Sequence, residues 1–312
     1  MKQPSVLVLL AVHNAGRRLS ALLESILHQQ DVQVTIQVLD NGSTDETWKT
    51  LQEFAGKYDC IGIRRDPAFH NTTETMLTLI RGVDPQAFDF FAIAEQGCRW
   101  TPDHLFIGCS RISSNSSRAE LYYCGVGSLD SASGTGESDV LRYIPCAEHP
   151  LSLLVVKNWA FGGGMVFNGA LVKLLKKRPV HDPGRGYATW IHAVALFCGY
   201  VVPELDRVSV SRWGGFSPEK GEEEQDAEQQ TQHEQRPRRK RGFPAAITHM
   251  ATRLYYEYRN DMDFEVSELV RVVIERGRSR DARRYLSRCK DIVAPQREST
   301  LKLRRDLLRG RL

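Results

Sequence analysis

The chain has 312 residues and a formal charge of +4 at pH 7, with 41% hydrophobic, 26% charged and 9% aromatic residues. This composition supplies enough apolar material for a sizeable core and excludes collagen-like and wholly disordered chains; it is that of a soluble globular protein. The small net charge conceals an asymmetry: residues 271–312 hold fourteen Lys or Arg against five Asp or Glu, while the body is close to neutral.

The opening stretch, MKQPSVLVLLAVHN, carries one lysine and an apolar run that stops at His13. It is too short for a membrane span and lacks a small-residue cleavage site, so residues 6–12 are predicted as a strand covered on both faces. Leu19, Leu22, Leu23, Ile26 and Leu27 then recur at helical spacing. Residues 32–39 read as a second strand ending at Asp40, and Ser43-Thr44-Asp45-Glu46 supplies capping chemistry for a helix over 47–58. A third strand is predicted at 60–63, a third helix at 72–83 and a fourth strand at 88–94. Strands alternating with helices in this way predict βαβ units and a mostly parallel sheet with helices on both faces.

The middle is less regular. Strands are predicted at 121–126 and 140–144, on either side of the Ser/Gly-rich SLDSASGTGESD. FGGGMVF leads into a helix over 170–177, a second apolar helix covers 190–198, and a last strand region covers 200–210. Residues 217–242, SPEKGEEEQDAEQQTQHEQRPRRKRG, have almost no apolar side chain and predict a disordered charged linker or loop. Beyond it, ITHMATRLYYEYRNDMDF and the Arg-rich segment that follows read as amphipathic helices. The expected organisation is thus a domain over 1–216, the linker over 217–242 and a basic helical appendage over 243–312.

Seven cysteines, at 60, 98, 109, 124, 146, 198 and 289, form no C-x-x-C pair and make an odd total. Reduced thiols in a cytosolic compartment follow, in preference to a disulfide framework or a zinc site.

In parallel sheets ligands bind beyond the carboxyl ends of the strands. Those ends hold His13-Asn14, Asp40-Asn41-Gly42-Ser43 and Glu95-Gln96-Gly97. Read alone, DNGS is turn chemistry, Asp45 is a helix-start charge and Glu95 caps a turn.

VLVLLAVHN, LLESILHQ and VTIQVLDNGSTDET together resemble the inverting family 2 glycosyltransferases of the GT-A fold, and among them the bacterial rhamnosyltransferase-like branch. FAIAEQGCRWTPDHL is similar to a segment that reads as an Asp-Gln-Asp-Asp cluster, one residue, Trp and then Pro-Asp in that branch. Further matches are GGGMVFN at 162–168, His181-Asp182, and LYYEYRN at 254–260.

The resemblance implies a GT-A sheet and transfer of a sugar, rhamnose among the options, from a nucleotide-diphosphate donor to a glycan or lipid-linked acceptor in bacterial surface polysaccharide synthesis. The donor's nucleotide would meet His13, Asn14, Asp40, Asn41, Gly42, Glu95, Gln96 and Arg99. A divalent Mg²⁺ or Mn²⁺ would sit at Glu95, but Gly97 and Cys98 stand where the family has aspartates. A glycine offers no side-chain ligand and a thiol suits a hard cation poorly, so the metal is expected to be weakly held or dispensable. Arg99, Arg185 or the basic C-terminal region are the alternative partners for the diphosphate.

Asp182, with His181 beside it, is the expected catalytic base. The seven residues PGRGYAT separate it from Trp190, whereas the family's His-Asp opens a helix at once; aligned on that helix instead, Ala188 and Thr189 fill the acid positions. The acceptor is expected against Trp159, Gly163, Gly164 and Trp190, although Trp at such places is more often core.

The expected partners follow in order. The nucleotide-sugar and its acceptor come first, then anionic lipid at the inner face of the membrane through the Arg-rich tail. Nucleic acid ranks last, because the basic RPRRKR stretch comes with no recognised module or aromatic platform. A rival reading keeps the fold and drops the catalysis: a weakened GT-A domain that binds a nucleotide-sugar or a partner enzyme as a scaffold subunit.

Overall fold

A computed structural model describes residues 2–66, 71–129, 140–141, 161–177, 186–213 and 245–274. The predicted linker at 217–242, residues 275–312 of the appendage, and His181, Asp182, Arg185 and Trp159 lie outside the described residues.

The chain divides into two compact units. The first is built on one sheet. Its opening half follows the sequence pattern: β1 (Ser5–Val12), α1 (Arg18–Leu27), β2 (Gln33–Asn41), α2 (Thr47–Lys57), β3 (Ile61–Asp66), α3 (Thr72–Gly82) and β4 (Phe90–Glu95). β1 lies between β2 and β4 and is parallel to both, and β3 is parallel to β2. β1 needs a near-continuous apolar run because both its faces are covered, and Val6 through Val12 are all buried. α1 buries Leu19, Leu22, Leu23 and Ile26, the i, i+3, i+4, i+7 stripe of an amphipathic helix. Each such side chain contributes roughly 2 kcal/mol relative to an exposed position.

After β4 the strand pairing turns antiparallel. β5 (Cys98–Trp100) and α4 (His104–Arg111) follow directly, then β6 (Ala119–Leu129), β7 (Val140–Leu141), a 3₁₀ turn at Gly162–Gly164, β8 (Met165–Asn168), α5 (Gly169–Lys177) and β9 (Gly199–Trp213). The strand order is β3-β2-β1-β4-β8-β6-β9-β5, with β7 on β6. β8 runs antiparallel to β4 and β6, and β5 antiparallel to β9. The stacked rings of Phe91 and Phe167, 6.1 Å apart, hold the junction of β4 and β8.

Asn168 fixes the step from β8 into α5. Its Oδ1 accepts from the N–H of Glu120 and Leu171, and its Nδ2 donates to the carbonyls of Ser113 and Arg118. A buried amide with all four bonds made costs little and specifies one geometry. Gln29 does similar work between α1 and α4: its Nε2 donates to Thr101 O at 2.6 Å and its Oε1 accepts from Leu105 N at 2.8 Å.

In the second unit the described residues form α6 (Tyr187–Cys198), α7 (Ala245–Tyr258) and α8 (Phe264–Ile274). The rings of Trp190 and Tyr258 lie 6.0 Å apart, and both residues are buried. Within LYYEYRN, the Arg259 guanidinium lies 5.9 Å from the Tyr255 ring centre.

Candidate functional site

The register of the parallel strands sets the site. Ala11 pairs with Glu95, Val12 with Asp40, and Asp40 in turn with Arg65, so the carboxyl ends of β1, β2, β3 and β4 finish side by side. The loops that leave them are tied together by side chains.

His13 is at the centre of these ties. Its backbone N–H donates to Gln96 Oε1 at 2.9 Å, and its Nδ1 lies 2.8 Å from Asn41 O. With Nδ1 donating to that carbonyl, Nε2 is left to accept from Asn14 Nδ2 at 3.2 Å, which assigns the neutral tautomer. Asn14 adopts φ +48°, a left-handed conformation that Asn tolerates better than most residues. From there its N–H reaches Ser43 Oγ at 3.0 Å and its Oδ1 accepts from Thr44 N at 2.9 Å.

Asp45 closes the same loop. Its Oδ1 accepts from Thr47 N and its Oδ2 from Gly16 N. Burial pushes its carboxyl up, but the bonds from Thr47 and Gly16 outweigh that and hold it below the usual range. The predicted capping chemistry before α2 thus resides in Asp45.

Asp40 is fully buried. Its Oδ1 accepts from Ser43 N at 3.1 Å, and its Oδ2 lies 3.0 Å from Arg65 Nε. That second contact is close in distance but not aligned as a hydrogen bond, so it is a charge contact. Arg65 also donates to Ser43 O and lies over the Trp48 ring at 5.3 Å. Asn41 is buried beside Asp40, and Gly42 takes φ +72°, which turns the chain back toward α2.

Glu95 is half-buried at the end of β4, and Gln96 and Arg99 are exposed. Gly97 turns the chain with φ +76° into β5. Cys98 faces the opposite way from Arg99 and is fully buried. Burial pushes its thiol far above the ordinary value, the Glu95 carboxylate adds to this and Arg212 opposes it.

These placements test the metal. A thiol held protonated in the core cannot ligate, Gly97 offers no side chain, and among the described residues of this motif Glu95 is the one carboxylate left. Among the described residues no group of three or more His, Cys, Asp or Glu could hold a metal ion. The described residues do not fit a divalent cation here.

Gly163 and Gly164 are buried beside the same corner. Gly163 O accepts from Trp100 Nε1 at 3.0 Å, and a Cβ on Gly163 would lie 3.2 Å from Glu95 Cβ and 2.8 Å from Phe161 Cε1. A Cβ on Gly164 would meet Cys124 Sγ at 3.0 Å. These glycines let backbone approach the Glu95 corner. Trp190 belongs to the second unit.

Sequence reasoning missed Arg65 and Arg212. Arg212 is the β9 residue directly opposite Cys98, and its guanidinium lies 5.9 Å from the Phe161 ring centre. No local pattern marks either arginine, since each is brought to the site by strand pairing. His104 and His192 are both fully buried and neutral, burial pushing each imidazole down to about 3. They are core residues.

Residues 7–71 match the family model described as Glycosyl transferase family 2. Over 99 residues the chain is 29% identical to the dTDP-rhamnosyl transferase RfbG of Shigella flexneri, a stretch covering 31% of this chain and 34% of that relative. Among solved structures, S. aureus TarS 1–349 in complex with UDP-GlcNAc superposes with a TM-score of 0.55 at 11% identity, over 97% of this chain and 81% of that one. A second S. aureus TarS structure gives 0.53 at 11% identity, over 92% and 46%.

Proposed function

We propose that the chain transfers a sugar from a nucleoside-diphosphate donor to a hydroxyl of a glycan or lipid-linked acceptor, with inversion; supporting this are the match of residues 7–71 to the family 2 glycosyl transferase model, the similarity of about a third of the chain to a dTDP-rhamnosyl transferase, and the fold shared with TarS. The observation that carries this reading is the bonding of the β1, β2 and β4 ends into one cluster of loops, within and beside the residues matched by the family. The nucleotide lies against His13, Asn14 and the loop from Asp40 to Thr44. The diphosphate lies toward Glu95.

In the transfer, the acceptor oxygen forms a bond to the anomeric carbon as the bond from that carbon to the diphosphate oxygen breaks. The bonding pair leaves with the diphosphate, and the acceptor's proton passes to a base, for which Asp182 with His181 is the candidate in this sequence. Rhamnose is the first sugar to try, because the curated relative is named for it. Surface polysaccharide synthesis at the cytoplasmic side of the membrane is the setting that fits such a reaction. Among the described residues no helix is long and apolar enough to cross a membrane.

A second reading is favoured by one specific observation, the buried Cys98 and the Gly97 turn where the family has acids. On it the domain binds a nucleotide-sugar and acts as a subunit without turnover. Incubating the full chain with dTDP-rhamnose, UDP-sugars and GDP-sugars, each with a panel of glycan and lipid-linked acceptors, and reading nucleoside diphosphate release and nucleotide binding, separates the two. Release from one donor, with an inverted anomeric centre in the product, supports transfer. Binding without release from any donor overturns transfer in favour of the subunit, and the absence of both overturns the two readings together.

A further inference from the structure

We infer that Arg212 supplies the positive charge for the donor's diphosphate at the Glu95 corner, the place where an acid-held cation does not fit. The inference rests on the proposed donor binding and names the group that completes it.

Strand pairing puts Arg212 there. In the antiparallel pair of β5 and β9, Cys98 lies opposite Arg212, Arg99 opposite Ser211 and Trp100 opposite Val210. Directly opposed residues project to the same face of a sheet, so Arg212 shares the face of Cys98 and Trp100, and Arg99 points to the other. Trp213 N donates to Gly97 O at 3.0 Å, which fixes the end of β9 over the turn that follows Glu95. The Arg212 guanidinium rests on Phe161, 5.9 Å from its ring centre, and Phe161 abuts Gly163, which in turn abuts Glu95. Cys98 feels both charges, Glu95 raising its thiol and Arg212 lowering it, so both act on the same buried sulfur.

The chemistry suits the place. A departing diphosphate gains negative charge as the glycosidic bond breaks and takes both bonding electrons. A guanidinium is always protonated and can meet two phosphate oxygens at once. Arg212 is half-buried, so its charge is less screened than that of a surface arginine, and the aromatic beneath it limits its rotamers. Arg99, on the other face of β5, is not placed for this task.

The test uses the full chain with UDP, dTDP and GDP as probes, and UMP, dTMP and GMP as their monophosphate counterparts, titrated in EDTA, in Mg²⁺ and in Mn²⁺. The expected result is binding of one diphosphate in EDTA within a few-fold of its affinity in Mn²⁺. Arg212→Gln should weaken that diphosphate by about tenfold or more while changing the monophosphate little, and Arg212→Lys should fall between. Arg118→Gln, distant from the corner, should change neither. An Arg212→Gln protein with a native circular dichroism spectrum and an unaltered ratio of diphosphate to monophosphate affinity overturns the inference and leaves donor binding standing. Diphosphate binding that appears only with Mn²⁺ also overturns it. Failure of the wild-type chain to bind any of the nucleotides overturns both the inference and the proposed function.

Discussion

Arg65 Nε lies 3.0 Å from the Oδ2 of Asp40, its direct neighbour across β3 and β2, and only the arginine of the pair reaches solvent. The carboxylate is fully buried, so removing the arginine leaves a charge with, among the described residues, one backbone hydrogen bond and no counter-ion. Arg65→Leu should cost about 2 kcal/mol, less than for a fully buried pair because the guanidinium is 39% exposed. Urea midpoints would show it. Since Arg65 also donates to Ser43 O, the variant should loosen the Asp40 loop and weaken nucleotide binding in parallel.

Asn14 separates backbone strain from side-chain bonding. Asn14→Gly keeps the φ of +48° comfortable but removes the acceptor for Thr44 N and the donor to His13 Nε2; Asn14→Ala removes both and adds left-handed strain. Losses of about 1 kcal/mol for glycine and about 2 kcal/mol for alanine are expected from thermal or urea unfolding. Equal losses in the two variants would show that the strain is not there.

The parallel half of the sheet was legible because each of its strands is a local signal, an apolar run buried on both faces and followed by an amphipathic helix. The match at the strand ends was legible for the same reason, since His13-Asn14 and Asp40 to Asp45 are contiguous stretches. β5 and α4 were not foreseen. CRW is a strand only because β9 pairs with it from more than a hundred residues away, and three residues carry no period of their own. Charge placement was illegible for the same reason: Arg99 was visible beside the acidic motif, but alternation along β5 turns it to the opposite face from Cys98, and the arginine paired with Cys98 comes from β9. What pairing over a long range decides, a local reading cannot supply.

His104 makes acid stability testable. Burial holds its imidazole near 3, below the ordinary 6.5, so protonation favours the unfolded chain. The stability it preserves is complete above about pH 6.5 and is lost as pH falls from there toward 3, with a slope approaching about 1.4 kcal/mol per pH unit. His192 behaves alike. Asp45, Asp89, Asp103 and Glu204, held below their usual values, lose their contributions only at lower pH, so the window from 6.5 to 4.5 reports on the histidines. His104→Gln should roughly halve the slope of unfolding free energy against pH there, and an unchanged slope would contradict the burial argument.

Cys98 tests whether the corner can be returned to an acidic motif. Cys98 is fully buried and its thiol is held protonated, so Cys98→Asp should not create Mn²⁺ affinity; it should destabilise the protein by about 3 kcal/mol as a carboxylate is forced into the core. Calorimetry with Mn²⁺ and thermal unfolding check the two halves separately. Among the described cysteines Cys98, Cys109 and Cys124 should resist iodoacetamide, whereas half-buried Cys60 and Cys198 should react ahead of them.

Gly163 and Gly108 distinguish a glycine that serves the site from one that serves the core. A Cβ on Gly163 would press on the edge of the Phe161 ring at 2.8 Å and on Glu95 Cβ at 3.2 Å, and the ring can move. Because Phe161 supports the Arg212 guanidinium, Gly163→Ala should lower nucleoside diphosphate affinity several-fold at a stability cost of about 1 kcal/mol. A Cβ on Gly108 would meet Val166 Cγ2 at 2.6 Å and Cβ at 2.9 Å, where a packed β-branched side chain has little room to shift. Gly108→Ala should therefore cost about 3 kcal/mol, at the upper end for overpacking, and leave nucleotide affinity unchanged in the folded fraction. Denaturant unfolding and nucleotide titration on the same two variants would reveal the opposite ordering. If both lose stability and neither loses affinity, Phe161 does not transmit the position of Gly163 to the diphosphate.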